Sequence, residues 1–179
     1  AARQAMVDQV VVPTVNGLVA GGYPYHGILY IGLIMTATGP KVIEYNVRLG
    51  DPETQVILPR LQTDLFELVD RALNDQPLPE VVEDPRASFG VVLASQGYPQ
   101  KPVHGQALGK FPTAAGVEID YANVAGSLAD LRGAGGRLLM VLAQADSLAV
   151  AHDRVYDYLA ALDEPECFYR TDIGAKAGL

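Results

Sequence analysis

Cysteine is almost absent. Cys167 stands alone among 179 residues, so no intramolecular disulfide can form and no thiolate cluster exists to hold zinc. Positive charge is also scarce: 13 Lys and Arg against 21 Asp and Glu give a formal net charge of −8, which excludes a broad basic face for nucleic acid. Any phosphate-handling site is therefore expected to be local. No uninterrupted apolar run reaches membrane-spanning length, and no signal peptide opens the chain. Together these absences predict a cytoplasmic protein with neither nucleic acid nor membrane as partner. An initiator Met is missing too, and Ala1–Met6 reads as a helix already under way without a cap. The sequence is thus expected to be a piece of a longer polypeptide. What is present is apolar material: at 49% hydrophobic residues the chain can build a real core, enough for one ordinary domain or two small ones.

Residues 3 to about 20 carry Met6, Val10, Val11, Val15, Leu18 and Val19 at helical spacing, with Pro13 set to kink or restart the helix and Gly21-Gly22 to end it. Gly27 to Thr36 reads as a strand buried on both faces, and Lys41 to Arg48 as its antiparallel return after a turn at Thr38-Gly39-Pro40. Gly32 within the first strand marks either a close approach to its backbone or a bulge. Helices are expected from Pro52 to about Arg60 and from Asp64 to about Asn74, the latter with an apolar stripe of Leu65, Phe66, Leu68, Val69 and Leu73. Gln76-Pro77-Leu78-Pro79 is the expected linker, dividing a domain 1–80 from a domain 81–179. Beyond it, strands are read at Ala87–Ser95, Val117–Val124 and Arg137–Ala145, followed by a helix capped by Ser147 and running to about Leu162.

The chemistry concentrates between Lys41 and Gln55. At a period of two, Ile43, Tyr45 and Val47 share a face suited to a core, while Val42, Glu44, Asn46 and Arg48 share the other. Glu44 and Asn46 offer hard oxygen atoms to one divalent ion, a small set that suits magnesium, which keeps its waters and takes phosphate oxygens. Arg48 would neutralise a phosphate or carboxylate. An ordinary solvated strand face is the competing reading of the same alternation. After Gly50, Asp51 reads as a helix N-cap, Pro52 as the first helical residue and Glu53 as a first-turn charge. His26, His104 and His152 lack metal-ligand spacing, Cys167 reads as a small buried hydrophobe, and Arg170 with Asp172 as a structural ion pair.

The run Glu44-Tyr45-Asn46-Val47-Arg48-Leu49-Gly50-Asp51-Pro52-Glu53-Thr54-Gln55, with Tyr25 to Met35 before it, resembles the signature segment of the glycinamide ribonucleotide synthetase (phosphoribosylamine–glycine ligase) family of the ATP-grasp superfamily. Gly97-Tyr98-Pro99, Gly135-Gly136-Arg137-Leu138 and Arg170-Thr171-Asp172-Ile173-Gly174 extend the resemblance along the chain, over the C-terminal part of the family's sequence. It implies an α+β fold: the C-terminal part of an ATP-grasp domain, an antiparallel sheet with helices, then a small mixed C-terminal domain. It further implies ATP-dependent joining of glycine to 5-phosphoribosylamine, with Mg²⁺ or Mn²⁺ held by Glu44 and Asn46. Arg48 is implied as the catalytic residue, and Arg48, Gly50, Asp51, Pro52 and Glu53 as the residues that meet substrates.

The family's N-terminal domain and ATP lid have no counterpart in the sequence, so the missing N-terminal part of the same polypeptide is an expected partner and the chain alone is expected to be inactive. Asp120-Tyr121-Ala122-Asn123 stands where the family has Phe-His-Ala-Gly, and Gly133-Ala134 where a Thr is expected. Two other functions fit the same residues: a different ATP-grasp carboxylate–amine ligase, or a folded scaffold without catalysis.

Overall fold

The computed structural model describes residues 2–175, so Ala1 of the opening helix and the last four residues of the expected second domain lie outside the described residues. The chain divides into two compact units. One comprises the chain up to Asp51 with Thr63–Glu80, and the other Pro52–Gln62 with the chain from Val81 onward. The division changes hands at Glu80/Val81, beside the Pro-rich link, but Pro52–Gln62 is built into the second unit.

In the first unit, helical segments α1 (Ala2–Met6) and α2 (Val12–Ala20) are joined by a π-helical turn, Val7–Val11. Pro13 has no N–H to give and its ring crowds the carbonyl one turn back, so the helix widens just ahead of it. Gly21 closes α2 through its N–H to the Gly17 carbonyl, and Gly22 takes a φ of 73°. Strands β1 (Tyr30–Thr36) and β2 (Gly39–Asn46) form the expected antiparallel hairpin. α4 (Leu65–Leu73) is capped by Asp64, whose carboxylate accepts from the N–H groups of Phe66 and Glu67.

Two expectations for this unit are corrected. The faces read as core are open: Ile43 is 66% exposed and Phe66 78%, and Tyr45, Val47, Val69 and Leu73 are exposed as well. Apolar spacing calls for a covering layer, and the described residues of this unit leave that cover incomplete, α2 reaching the Tyr45 hydroxyl through Thr14 but leaving the side chains largely open. The strand also stops at Asn46, two residues short of Arg48.

The second unit carries the core. β3 (Ala87–Ser95) and β7 (Arg137–Ala145) have the bounds their sequence patterns predict and pair antiparallel at the centre of a four-stranded sheet ordered β4-β7-β3-β8. β4 is Glu118–Tyr121 and β8 is Cys167–Phe168. β7 is buried on both faces, which explains its nearly unbroken apolar sequence. α5 (Leu148–Ala160) starts at Ser147, whose hydroxyl accepts from the Val150 N–H, and lays Ala151, Val155, Tyr158 and Leu159 onto the sheet. That i, i+4, i+7, i+8 spacing is one helical face.

The strand expected over Val117–Val124 is instead two pieces. β4 ends at Tyr121, and Val124 opens a separate hairpin of β5 (Val124–Ser127) and β6 (Asp130–Gly133). Pro52–Gln62 enters this unit as α3 (Thr54–Ile57) and a 3₁₀ turn, Leu58–Arg60. It is tied down by Gln62 N–H to the Val82 carbonyl, Asp84 N–H to the Arg60 carbonyl and the Gln144 amide to the Pro59 carbonyl.

Candidate active site

Tyr45 fixes which way β2 faces. Its hydroxyl lies 2.9 Å from that of Thr14 on α2, so the odd-numbered side of this stretch looks toward the helix and Glu44 and Asn46 look away from it. Their register partners on β1 are Gly32 and Tyr30, two residues apart, which confirms a shared face. Between Gly32↔Glu44 and Leu33↔Val42 the register slips, leaving Ile43 as the extra residue of a β-bulge. Both readings of Gly32 therefore hold at once, because a β-carbon there would lie only 3.0 Å from Glu44 Cγ. The bulge corrects one expectation: Val42, paired with Leu33, falls out of line with Glu44.

The chemistry of the pair fits a hard cation. Glu44 is exposed, Asn46 half-buried, and among the described residues neither side chain is engaged in a hydrogen bond or ion pair. No group of three or more His, Cys, Asp or Glu that could hold a metal occurs among the described residues. Two oxygen donors with open coordination around them suit magnesium shared with phosphate oxygens far better than zinc or calcium.

Downstream the geometry departs from the sequence reading. Arg48 lies in a bend, exposed, and its Nη1 donates to the Leu49 carbonyl at 3.0 Å. Gly50 is buried. The helix begins later than the sequence reading has it: residues 51–53 form a turn, and the N-cap position falls at Glu53, whose side chain makes no capping hydrogen bond, instead of at Asp51. Three residues of turn intervene because Pro52 needs no N–H partner there, so the chain bends before it coils. Pro52 and Glu53 are half-buried members of the second unit.

Pro52 borders a feature that residue-by-residue reading missed, a cavity of about 330 Å³ whose walls include Gly90, Tyr98, Arg137, Arg170 and Ile173. The motifs that make it are remote in sequence and were visible only as points of resemblance. Gly136 lacks the β-carbon that would strike the Tyr98 ring, so that ring lies on the backbone just before Arg137. Gly97, at a φ of 81°, makes the turn that presents Tyr98. Asn123, one of the departures from the family pattern, donates from Nδ2 to the Arg137 carbonyl at 2.9 Å and braces it. Arg170 and Asp172 form the expected ion pair, 2.7 Å between Nη2 and Oδ2, and Asp172 thereby holds the Arg170 proton more firmly than usual. Cys167 is buried, as expected, and burial pushes its thiol up to about 11.

A two-strand hairpin bearing an acid and an amide on one face, followed by a sheet-and-helix unit, agrees with the α+β, ATP-grasp-related architecture that the resemblance implies. Family models agree: the phosphoribosylglycinamide synthetase ATP-grasp (A) domain matches residues 1–54 and the phosphoribosylglycinamide synthetase C domain residues 88–176. The chain belongs to the phosphoribosylglycinamide synthetase family. It is 42% identical over 173 residues to the phosphoribosylamine–glycine ligase of Listeria monocytogenes, a match covering 96% of this chain and 41% of that protein. The crystal structure of phosphoribosylamine–glycine ligase from Thermotoga maritima superposes with a TM-score of 0.77 at 30% identity, over 93% of this chain and 41% of that one. The biotin carboxylase domain of 2-oxoglutarate carboxylase from Hydrogenobacter thermophilus, solved with MgADP and bicarbonate, shares the fold alone: TM-score 0.60 at 16% identity, over 90% of this chain and 40% of that one. The chain thus spans about two-fifths of the length of the relatives it matches. Among the described residues no helix is long and apolar enough to cross a membrane.

Proposed function

We propose that the chain is the C-terminal part of an ATP-dependent ligase that joins glycine to 5-phosphoribosylamine in purine biosynthesis. The observation that carries the reading is the pair Glu44 and Asn46, unengaged on one strand face within the segment that matches the ligase family's ATP-grasp domain. In the reaction a glycine carboxylate oxygen attacks the γ-phosphorus of ATP and ADP leaves. The amine nitrogen of phosphoribosylamine then attacks the acyl carbon, inorganic phosphate leaves, and the nitrogen loses a proton as the amide forms.

Glu44 and Asn46 would hold Mg²⁺ (or Mn²⁺), which when bound supplies charge neutralisation on the nucleotide phosphates. Arg48 is the group proposed to stabilise the acyl phosphate, and Gly50, Asp51, Pro52 and Glu53 to meet the substrates, the two acids being suited to an amine or hydroxyl rather than a bare phosphate. Phosphoryl and acyl transfer need positioning and neutralised charge more than covalent help, and a strand face beside a turn supplies both. The partition into an ATP-grasp part, residues 1–80, and a small C-terminal domain, 81–179, belongs to the same proposal. So do a cytoplasmic location and dependence on the N-terminal part of the same polypeptide for nucleotide grip.

The test is substrate-dependent phosphate release by the complete polypeptide. Glycine with phosphoribosylamine is expected to outpace every other acid–amine pair, and preference for another pair overturns the assignment.

A further inference from the structure

Tyr45 sits between the two oxygen donors of β2, and its side chain is pinned from outside the hairpin. Its hydroxyl and that of Thr14 on α2 are 2.9 Å apart, a hydrogen bond that spans 31 residues of sequence. Among the described residues it is the one hydrogen bond that either hydroxyl makes. A Thr inside a helix ordinarily returns its hydroxyl to a carbonyl one turn back, so Thr14 exchanges a local bond for a distant one. Thr14 is also the polar member of an apolar place. With Leu18 it borders a groove of about 420 Å³ whose other walls include Leu29, Tyr45 and Val47.

β2 needs such a tether. It belongs to a sheet of two strands, so among the described residues the ladder holds it along one edge. The bulge at Ile43 interrupts that ladder immediately before Glu44, and the strand ends at Asn46. Two-stranded ribbons twist more than wider sheets, and a bulge adds local twist. Apolar cover does little to stop the strand rolling, since Ile43 is 66% exposed, Val47 72% and Tyr45 itself 50%. The Tyr45 hydroxyl is therefore the specific attachment on the side opposite Glu44 and Asn46. At the start of the strand the same helical segment is close against the backbone, because a β-carbon on Gly39 would strike the Gln9 side chain of the π-helical turn. Such turns recur at functional sites, and this one packs on β2.

We infer that Thr14 and Tyr45 are a positioning pair: their hydrogen bond sets the roll of β2 so that Glu44 and Asn46 present their oxygens to one metal ion. This deepens the ligase reading and rests on it, because the pair acts only through those two side chains. Neither hydroxyl is assigned a contact with metal or substrate. A carboxylate and an amide on alternate residues share an ion only while the strand between them keeps one orientation, and fixing that orientation beforehand favours binding.

The test is Mn²⁺ titration of the complete polypeptide with ADP present, read by the electron paramagnetic resonance of the ion. Tyr45→Phe and Thr14→Val each remove one hydroxyl and keep nearly the same shape. Each is expected to weaken Mn²⁺ binding by about three- to tenfold. The double substitution should weaken it no further, since both changes remove the same bond. Thr14→Ser, which keeps the hydroxyl, should stay within about twofold of the parent. In turnover the loss should appear in the Mg²⁺ concentration for half-maximal rate and leave the KM for glycine unmoved. Should one single variant fail to fold, the other carries the same prediction. Unchanged Mn²⁺ affinity in the single variants overturns the inference, even with a lower urea midpoint, and so does an additive loss in the double variant. Glu44→Gln separates the two proposals. Loss of Mn²⁺ binding there, with none in Tyr45→Phe or Thr14→Val, sinks the positioning pair alone. Parental Mn²⁺ binding in Glu44→Gln sinks the metal reading, and the role of the pair falls with it.

Discussion

Gly32 on β1 stands directly across from Glu44 on β2, and the Glu44 side chain occupies the space a β-carbon at position 32 would need, 3.0 Å from its Cγ. The glycine thus sets where the carboxylate lies, in addition to relieving the bulge at Ile43. In Gly32→Ala the flexible Glu44 side chain must give way. Magnesium-dependent turnover of the complete polypeptide is expected to fall by about tenfold or more, while urea unfolding of the chain changes by less than about 1 kcal/mol. Equal turnover with Ala at this position would show that the placement of Glu44 does not depend on Gly32.

Acid should loosen the second unit through Asp84. Its carboxylate is held well below the usual range, at about 2 instead of 3.8, first by the Arg86 side chain, then by the Arg86 N–H, with the Arg60 charge adding. A carboxylate whose pKa is lower in the folded state stabilises it fully above the unfolded value and loses that contribution as pH falls from 3.8 toward about 2. Asp84→Asn is expected to lower the unfolding midpoint near neutral pH and to flatten the acid side of the stability profile. An unchanged slope between about pH 4 and about pH 2 would place the acid sensitivity elsewhere.

Cys167 should be chemically silent in the folded chain. It pairs in β8 with Ser95, and burial, followed by the Glu164 and Glu166 charges, pushes its thiol up to about 11. Alkylation near pH 8 is expected to run at least about a hundredfold slower than in urea. Comparable rates in both conditions would mean that the edge strand opens readily.

The sequence was most informative where one element decides its own conformation. The bounds of β3 and β7, and the cap at Ser147, follow from local pattern and were readable as such. Whatever depends on pairing was not. The bulges at Ile43 and Leu138 exist only in the register of two strands, so the drift of Val42 out of line and the aim of Arg137 could not be seen in either strand alone. The β5–β6 hairpin is short and polar around Gly126, and lacks the apolar alternation that announces a strand. Ile43 and Phe66 show the reverse error, since an apolar stripe states a need for cover and not its presence. Of the candidate site, the shared strand face of Glu44 and Asn46 was legible from period two. The cavity was not, because Pro52, Tyr98, Arg137 and Arg170 meet only after the sheet has formed.

Glu44→Gln in the complete polypeptide puts the whole reading to its most direct trial. The substitution removes one negative charge from an exposed position and keeps nearly the same shape, so the fold should survive. Phosphate release with glycine and phosphoribosylamine, measured across rising Mg²⁺, is expected to drop by at least about a hundredfold and to recover little at high metal. Wild-type turnover at ordinary Mg²⁺ would contradict it, and would remove this strand face from the chemistry.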